Sequence, residues 1–206
     1  MPAELAAIVE RTRSFVREVC IPAEDRFTGD ELDPELRREL QHAARAAGVF
    51  APHAPREFGG LGLDVRGWST VFEEAGYSLL GPQALNCAAP DEGNMHLLEV
   101  VAGDEQKERY LRPLVQGEVR SCFAMSEPHP GAGSDPAALV TAARRADGGW
   151  VIDGEKRFIS GADGAAFAIA MARTPQGATM FLVEDDNAGF QVGRRMPATD
   201  TVFAGG

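Results

Sequence analysis

Two short stretches of this sequence hold most of its chemistry-capable groups. The first, SCFAMSEPHPGAGSDP at residues 121–136, runs through Phe123, Ala124, Met125 and Ser126 into a loop containing Gly131, Ala132, Gly133 and Ser134. Glycine permits close backbone approach. Its N–H groups, with the hydroxyls of Ser126 and Ser134, can face an anion or a polar ring edge. The same composition also suits a turn-rich connection that holds nothing, and the residues alone leave both readings open. The second stretch, GEKRFISGADG at residues 154–164, reads as a strand in which Phe158 and Ser160 share one side and Ile159 faces the other. Taken alone, it reads first as an edge strand with a buried phenylalanine.

Other readings of these groups are weaker. Gly131-Ala132-Gly133 opens like GxGxxG, but Pro136 stands at the third glycine position, no βαβ unit follows, and Asp153 falls in a hairpin turn. Glu127 adjoins Ser126 and is assigned no catalytic role. Glu73 and Glu74 fall mid-helix, where one solvated and one paired carboxylate is the ordinary outcome. His129 stands alone in the loop and His96 reads as helix packing, so no catalytic residue is assigned among them. Cys20, Cys87 and Cys122 form no CxxC pair, which argues against zinc and against a disulfide framework and for buried, reduced thiols.

These groups need elements to position them. Upstream of residue 120, apolar residues recur at helical spacing, beginning with Leu5, Ile8, Val9, Phe15, Val16 and Val19. Asp33-Pro34 predicts a helix start and Gly48 its stop. After the connection PREFGGLGLD, Asp64 opens a third helix reaching Leu80. Two more span 90–102 and 104–116, the last capped by Asp104 and ended by Gly117. Downstream the period is two. Strands are predicted at 121–126, 139–146, 149–153, 155–160, 166–173, 179–184 and 190–194, with a hairpin at Asp153-Gly154. The fold class is α+β: an all-helical domain over 1–120, then an antiparallel β-sheet or barrel domain over 121–206. Ending at FAGG would leave such a sheet with an open edge, which suggests a fragment.

Composition narrows the function classes. The 206 residues are 44% hydrophobic and 25% charged, ordinary for a globular chain. Net charge is −11, and neither part is basic: 13 basic and 21 acidic residues run through Arg120, then 7 and 10 beyond it. A nucleic-acid surface therefore has no electrostatic support. No apolar run approaches the ~20 residues of a membrane span, and Glu4 and Glu10 break any secretory signal pattern, so a cytoplasmic location is expected. Only Lys107 and Lys156 stand against eighteen arginines, a usage typical of a GC-rich bacterial genome.

Taken in order, FAMSEP, GAGSDP and WVIDGEKRFISGA resemble the middle domain of the acyl-CoA dehydrogenase family. DEQKERYLRPLVQGE and EFGGLGLD resemble its N-terminal part, so the resemblance runs through nearly the whole chain. It implies FAD held by Phe123, Ala124, Met125, Ser126, Gly131, Ala132, Gly133, Ser134, Phe158, Ile159 and Ser160, with Ser134 also touching an acyl-CoA substrate. It implies α,β-desaturation of the thioester, with hydride passing to the flavin and an electron-transfer flavoprotein-like acceptor beyond. Phe158 stands where the family usually has tryptophan, and Ser126 and Ser160 where threonine is common. The His129-Pro130 insertion resembles the long-chain branch typified by family members 10 and 11. The family's usual catalytic carboxylate lies on a C-terminal helical domain with no counterpart here, and its relatives oligomerise through that domain. The chain alone is accordingly expected to be inactive. The alternatives are a short, non-catalytic flavin- or acyl-CoA-binding protein, or a flavin-dependent oxygenase or oxidase of the same fold.

Overall fold

The structure, a computed structural model, describes residues 2–27 and 32–196. The chain divides into two compact units, one running through Val119 and the other beginning at Arg120. The FAGG terminus lies outside the described residues.

The first unit is helical. Helix α1, Ala3–Phe15, buries Ile8, Val9, Thr12 and Phe15, and continues through a π-turn at Val16–Cys20. Helix α2, Pro34–Ala46, starts as its sequence requires: Asp33 accepts the amide of Glu35 at 3.0 Å, with Pro34 at the first position. Helix α3, Val65–Ala75, is capped by Asp64, which accepts the Gly67 amide at 2.8 Å. It ends before Leu80, earlier than the apolar spacing suggested. Glu74 on α3 pairs with Arg13 on α1 at 2.6 Å, while Glu73 faces solvent.

Helix α4 is Asp91–Val101; α5 combines Asp104–Gln106, a π-turn at Lys107–Leu111 and Arg112–Val115. The α5 cap is Gly103 and not Asp104: the Gln106 side chain reaches back and accepts the Gly103 amide at 3.1 Å. His96, expected to pack, is exposed on α4, with Glu99 3.7 Å away. Both π-turns precede an interior proline, Pro22 and Pro113. A proline ring collides with the carbonyl four residues back, and a widened turn moves that carbonyl aside.

The second unit is a mixed sheet. Its strands are β1 (Ser121–Ala124), β2 (Ala142–Ala146), β3 (Gly149–Asp153), β4 (Phe167–Thr174) and β5 (Gly177–Glu184). β5 pairs antiparallel along the whole of β4. The opposite edge of β4 is shared: β1 runs parallel to it from Ser121↔Phe167 to Ala124↔Ala170, and β2 meets it at Ala142↔Arg173. The expected antiparallel order therefore fails at β4, because period-two burial fixes which face is inward and says nothing of strand direction.

The hairpin also moves. β2 and β3 join at Asp147-Gly148, where Gly148 takes φ +83°, a backbone region open to glycine. Residues 155–160 form no strand, and neither do 190–194. The former segment leaves the sheet: its Arg157 amide donates to the Ser126 carbonyl at 2.9 Å instead.

Candidate functional site

Because β1 and β2 occupy the same edge of β4, residues 125–141 leave that edge and return to it a few positions further on. Such an out-and-back loop needs its base closed, and Glu127 closes it. Its side chain is fully buried. Oε2 accepts the amides of Ala132 at 3.1 Å and Val140 at 2.8 Å; Oε1 accepts the Thr141 amide at 3.0 Å and the Lys156 ammonium at 2.8 Å. Burial alone would raise the carboxyl's pKa, but the ammonium and the amide donors outweigh it and hold the group well below the usual carboxylate range. A carboxylate held so firmly ionised is a poor proton acceptor, which fits a structural role for Glu127.

Gly131 belongs to the same closure. A Cβ there would lie 2.4 Å from Glu127 Oε2 and 2.7 Å from its Cβ, so only glycine lets the loop fold back. Gly133 differs: a Cβ there meets nothing within 4 Å. It lies beside exposed Ser134, and the Ser126 hydroxyl donates to its carbonyl at 3.4 Å. Ala132 is fully buried, with its carbonyl accepting the Glu127 amide and its own amide donated to the Glu127 carboxylate. Ala124 is interior as well. Phe123, Met125 and Ser126 are half-buried along the same edge, and His129 is exposed at the loop's far end.

The second stretch meets the first at Lys156, whose ammonium also donates to the Met125 carbonyl at 3.0 Å. Next come Phe158 and Ser160, both exposed, with Ile159 buried between them against Cys122, Ala124, Ala165 and Ala168. The alternation expected of a strand thus survives as a burial pattern without a strand. Phe158 is 57% exposed, the reverse of a buried aromatic, and takes φ +57°. The Arg157 guanidinium covers one face of its ring at 4.0 Å.

Lys156 was not singled out by sequence reasoning, although its rarity was a signal: it is one of only two lysines in the chain. His53, in the first unit, was also missed. Neither ring nitrogen has a hydrogen-bond partner, the ring stands edge-on to Phe72 at 5.5 Å, and burial, with His96 secondary, lowers its pKa to about 4. Among the described residues no His, Cys, Asp and Glu cluster suits a metal, and no helix is long and apolar enough to cross a membrane. The three cysteines are buried and unbridged, and burial raises the Cys20 thiol to about 12.

Comparison with known proteins matches residues 2–118 to the acyl-CoA dehydrogenase N-terminal domain and residues 122–202 to the acyl-CoA dehydrogenase middle domain. The 3-(aryl)acrylate reductase of Clostridium sporogenes is 36% identical over 179 residues, covering 80% of this chain and 45% of that protein. Acyl-CoA dehydrogenase family member 11 of Pongo abelii is 31% identical over 179 residues, covering 81% of this chain and 22% of that protein. The crystal structure of a glutaryl-CoA dehydrogenase from Mycobacterium smegmatis in complex with FADH2 superposes with a TM-score of 0.77 at 26% identity, covering 95% of this chain and 50% of that one. The chain thus spans half or less of the length of each of these relatives.

Proposed function

The chain belongs to the acyl-CoA dehydrogenase family, and on that premise we propose that residues 121–206 form its middle domain and hold FAD against an acyl-CoA thioester. The observation that carries this reading is the joint presentation of two edges. The loop bearing Ser126, Gly133 and Ser134 is tied to the segment bearing Phe158 and Ser160 by the Arg157–Ser126 backbone bond and by Lys156. These residues suit a flavin: Gly133 opens onto space where backbone can approach a ring edge, and the uncovered face of Phe158 is a stacking surface. FAD, when bound, supplies the hydride-accepting chemistry. The Phe158 ring and the Ile159 backbone would align the flavin, with Ser160 donating a hydrogen bond to its polar edge and the Ser126 hydroxyl oxygen accepting one. Phe123, Ala124 and Met125 would form the wall beneath it, and Gly131 and Ala132 would shape the loop. Ser134 would face both cofactor and acyl-CoA.

For the whole protein we infer α,β-desaturation of an acyl-CoA in the cytoplasm, with an electron-transfer flavoprotein-like acceptor. The helical residues 1–120 would form the family's N-terminal domain. The similarity to a 3-(aryl)acrylate reductase favours a second reading, in which the same site runs in the reducing direction on an aryl-substituted, unsaturated acid.

The test is reconstitution of the 206-residue chain with FAD, gel filtration, and anaerobic addition of acyl-CoA. Retained yellow colour is the expected result, and failure to retain flavin at any concentration would refute the reading. Bleaching by acyl-CoA would place a proton acceptor within these residues, whereas reoxidation of reduced flavin by an aryl acrylate would favour the second reading.

A further inference from the structure

A phenylalanine at φ +57° with more than half its surface in water is doubly unfavourable: the ring gains little from burial, and the backbone sits where a Cβ crowds the preceding carbonyl. Such a conformation persists only when the surroundings over-determine it. Here both neighbours are pinned. On one side, Lys156 extends into the interior to the Met125 carbonyl and the Glu127 carboxylate, and its side chain is only 13% exposed. Arg157 adds a backbone bond to Ser126. On the other side, Ile159 is anchored among Cys122, Ala124, Ala165 and Ala168. Between two inward anchors, residue 158 has no choice but to turn outward.

We propose that Lys156 is the positioning residue of the flavin platform: by locking between Met125 and Glu127 it holds Phe158 outward and aligns that ring with the 126–134 loop. The proposal rests on the flavin reading above and adds to it the group that sets the ring's pose before any ligand arrives. One lysine thereby joins the two flavin-facing stretches, and preorganisation, not contact, is its contribution.

Lys156→Met lowers the stability of this unit by leaving the buried Glu127 carboxylate without its cation, but Glu127 keeps the amides of Ala132, Val140 and Thr141 and still closes the loop in the folded chain. Lys156→Met therefore separates the two roles. In the 206-residue chain, wild-type Phe158 should show the strong intraresidue amide–Hα NOE characteristic of positive φ. In Lys156→Met that NOE should weaken while exchange protection of the Ala132 and Thr141 amides persists. The FAD dissociation constant should rise roughly ten- to hundredfold, the usual strain of a disfavoured backbone angle expressed as an equilibrium constant. The induced visible circular dichroism of bound flavin should diminish with it.

An unchanged NOE in the variant overturns the proposal, as does a lost NOE with unchanged FAD affinity. A wild-type chain that binds no FAD refutes the flavin reading instead, and the NOE comparison still decides the positioning claim. Should Lys156→Met fail to fold, the unmodified chain decides: a locked Lys156 ammonium gives a slowly exchanging side-chain nitrogen–proton cross-peak at low temperature, and an ammonium in fast exchange with water overturns the assignment.

Discussion

Replacing Glu127 by glutamine tests whether one carboxylate closes the 125–141 loop. The two side chains have the same shape, so the substitution changes only charge and donor pattern. Each carboxylate oxygen faces two donors: Oε2 the amides of Ala132 and Val140, Oε1 the Thr141 amide and the Lys156 ammonium. A glutamine carbonyl can serve one of these pairs. Its NH2 then points at the other pair, donor against donor. Removing one partner of a buried ion pair costs about 3–5 kcal/mol. A domain's whole stability is about 5–15 kcal/mol, so Glu127→Gln should leave the second unit only marginally folded.

Urea unfolding followed through Trp150 reads this unit, because its ring meets Phe181 at 5.3 Å on the sheet, and Trp68→Phe removes the signal of the first unit. A loss below about 1 kcal/mol, the worth of a solvent-screened pair, would refute the closure argument. A pH series gives an independent check. The folded carboxyl titrates below the unfolded one, so the unfolded chain binds the proton first as pH falls. The stability Glu127 contributes is then complete above the unfolded pKa of about 4.3 and is lost progressively below it. Glu127→Gln should abolish that part of the acid slope.

Two neighbouring glycines should separate folding from binding. Gly131→Ala drives a Cβ into Glu127 and should cost about 1–3 kcal/mol in the same urea assay, whereas Gly133→Ala enters open space and should leave stability unchanged while weakening FAD binding in a titration. His53→Leu should raise the stability of the first unit at pH 7.5 by about 1–3 kcal/mol, because two partnerless buried nitrogens disappear. Its folded pKa of about 4 lies below the ordinary 6.5, so the wild-type chain loses stability as pH falls between those values, by about 3 kcal/mol in all. Trp68 fluorescence in urea at pH 7.5 and 5 should show about 2 kcal/mol of that loss in the wild type and none of it in His53→Leu.

Local chemistry was the legible part of this fold. Asp33 and Asp64 cap their helices because a cap needs only the next few residues. β3 begins and ends where its alternation does. The sequence places Asp-Gly on either side of β3, at 147–148 and 153–154, with equal turn propensity, and nothing local decides between them. The decision is tertiary: Lys156 is drawn inward to Glu127, which takes residues 155–160 off the sheet. Phe158, Ser126, Gly133 and Ser134 could be singled out as candidates from residue type and resemblance. The four-donor environment of Glu127 was not, because it gathers residues 132, 140, 141 and 156 from three separate segments.

The shared edge of β4 also dictates an order of events during synthesis. β1 ends at Ala124, but its partner is complete only at Thr174, some fifty residues later. At ~5–20 residues per second, the ribosome takes about 3–10 s to deliver that partner. Throughout this interval β1 has no strand to pair with, and the base of the 125–141 loop has no sheet edge to return to. A nascent chain of this length therefore exposes Cys122 and the β1 hydrogen-bonding edge on the timescale at which chaperones bind. Elongation rate between codons 124 and 174 then sets how long that edge stays open.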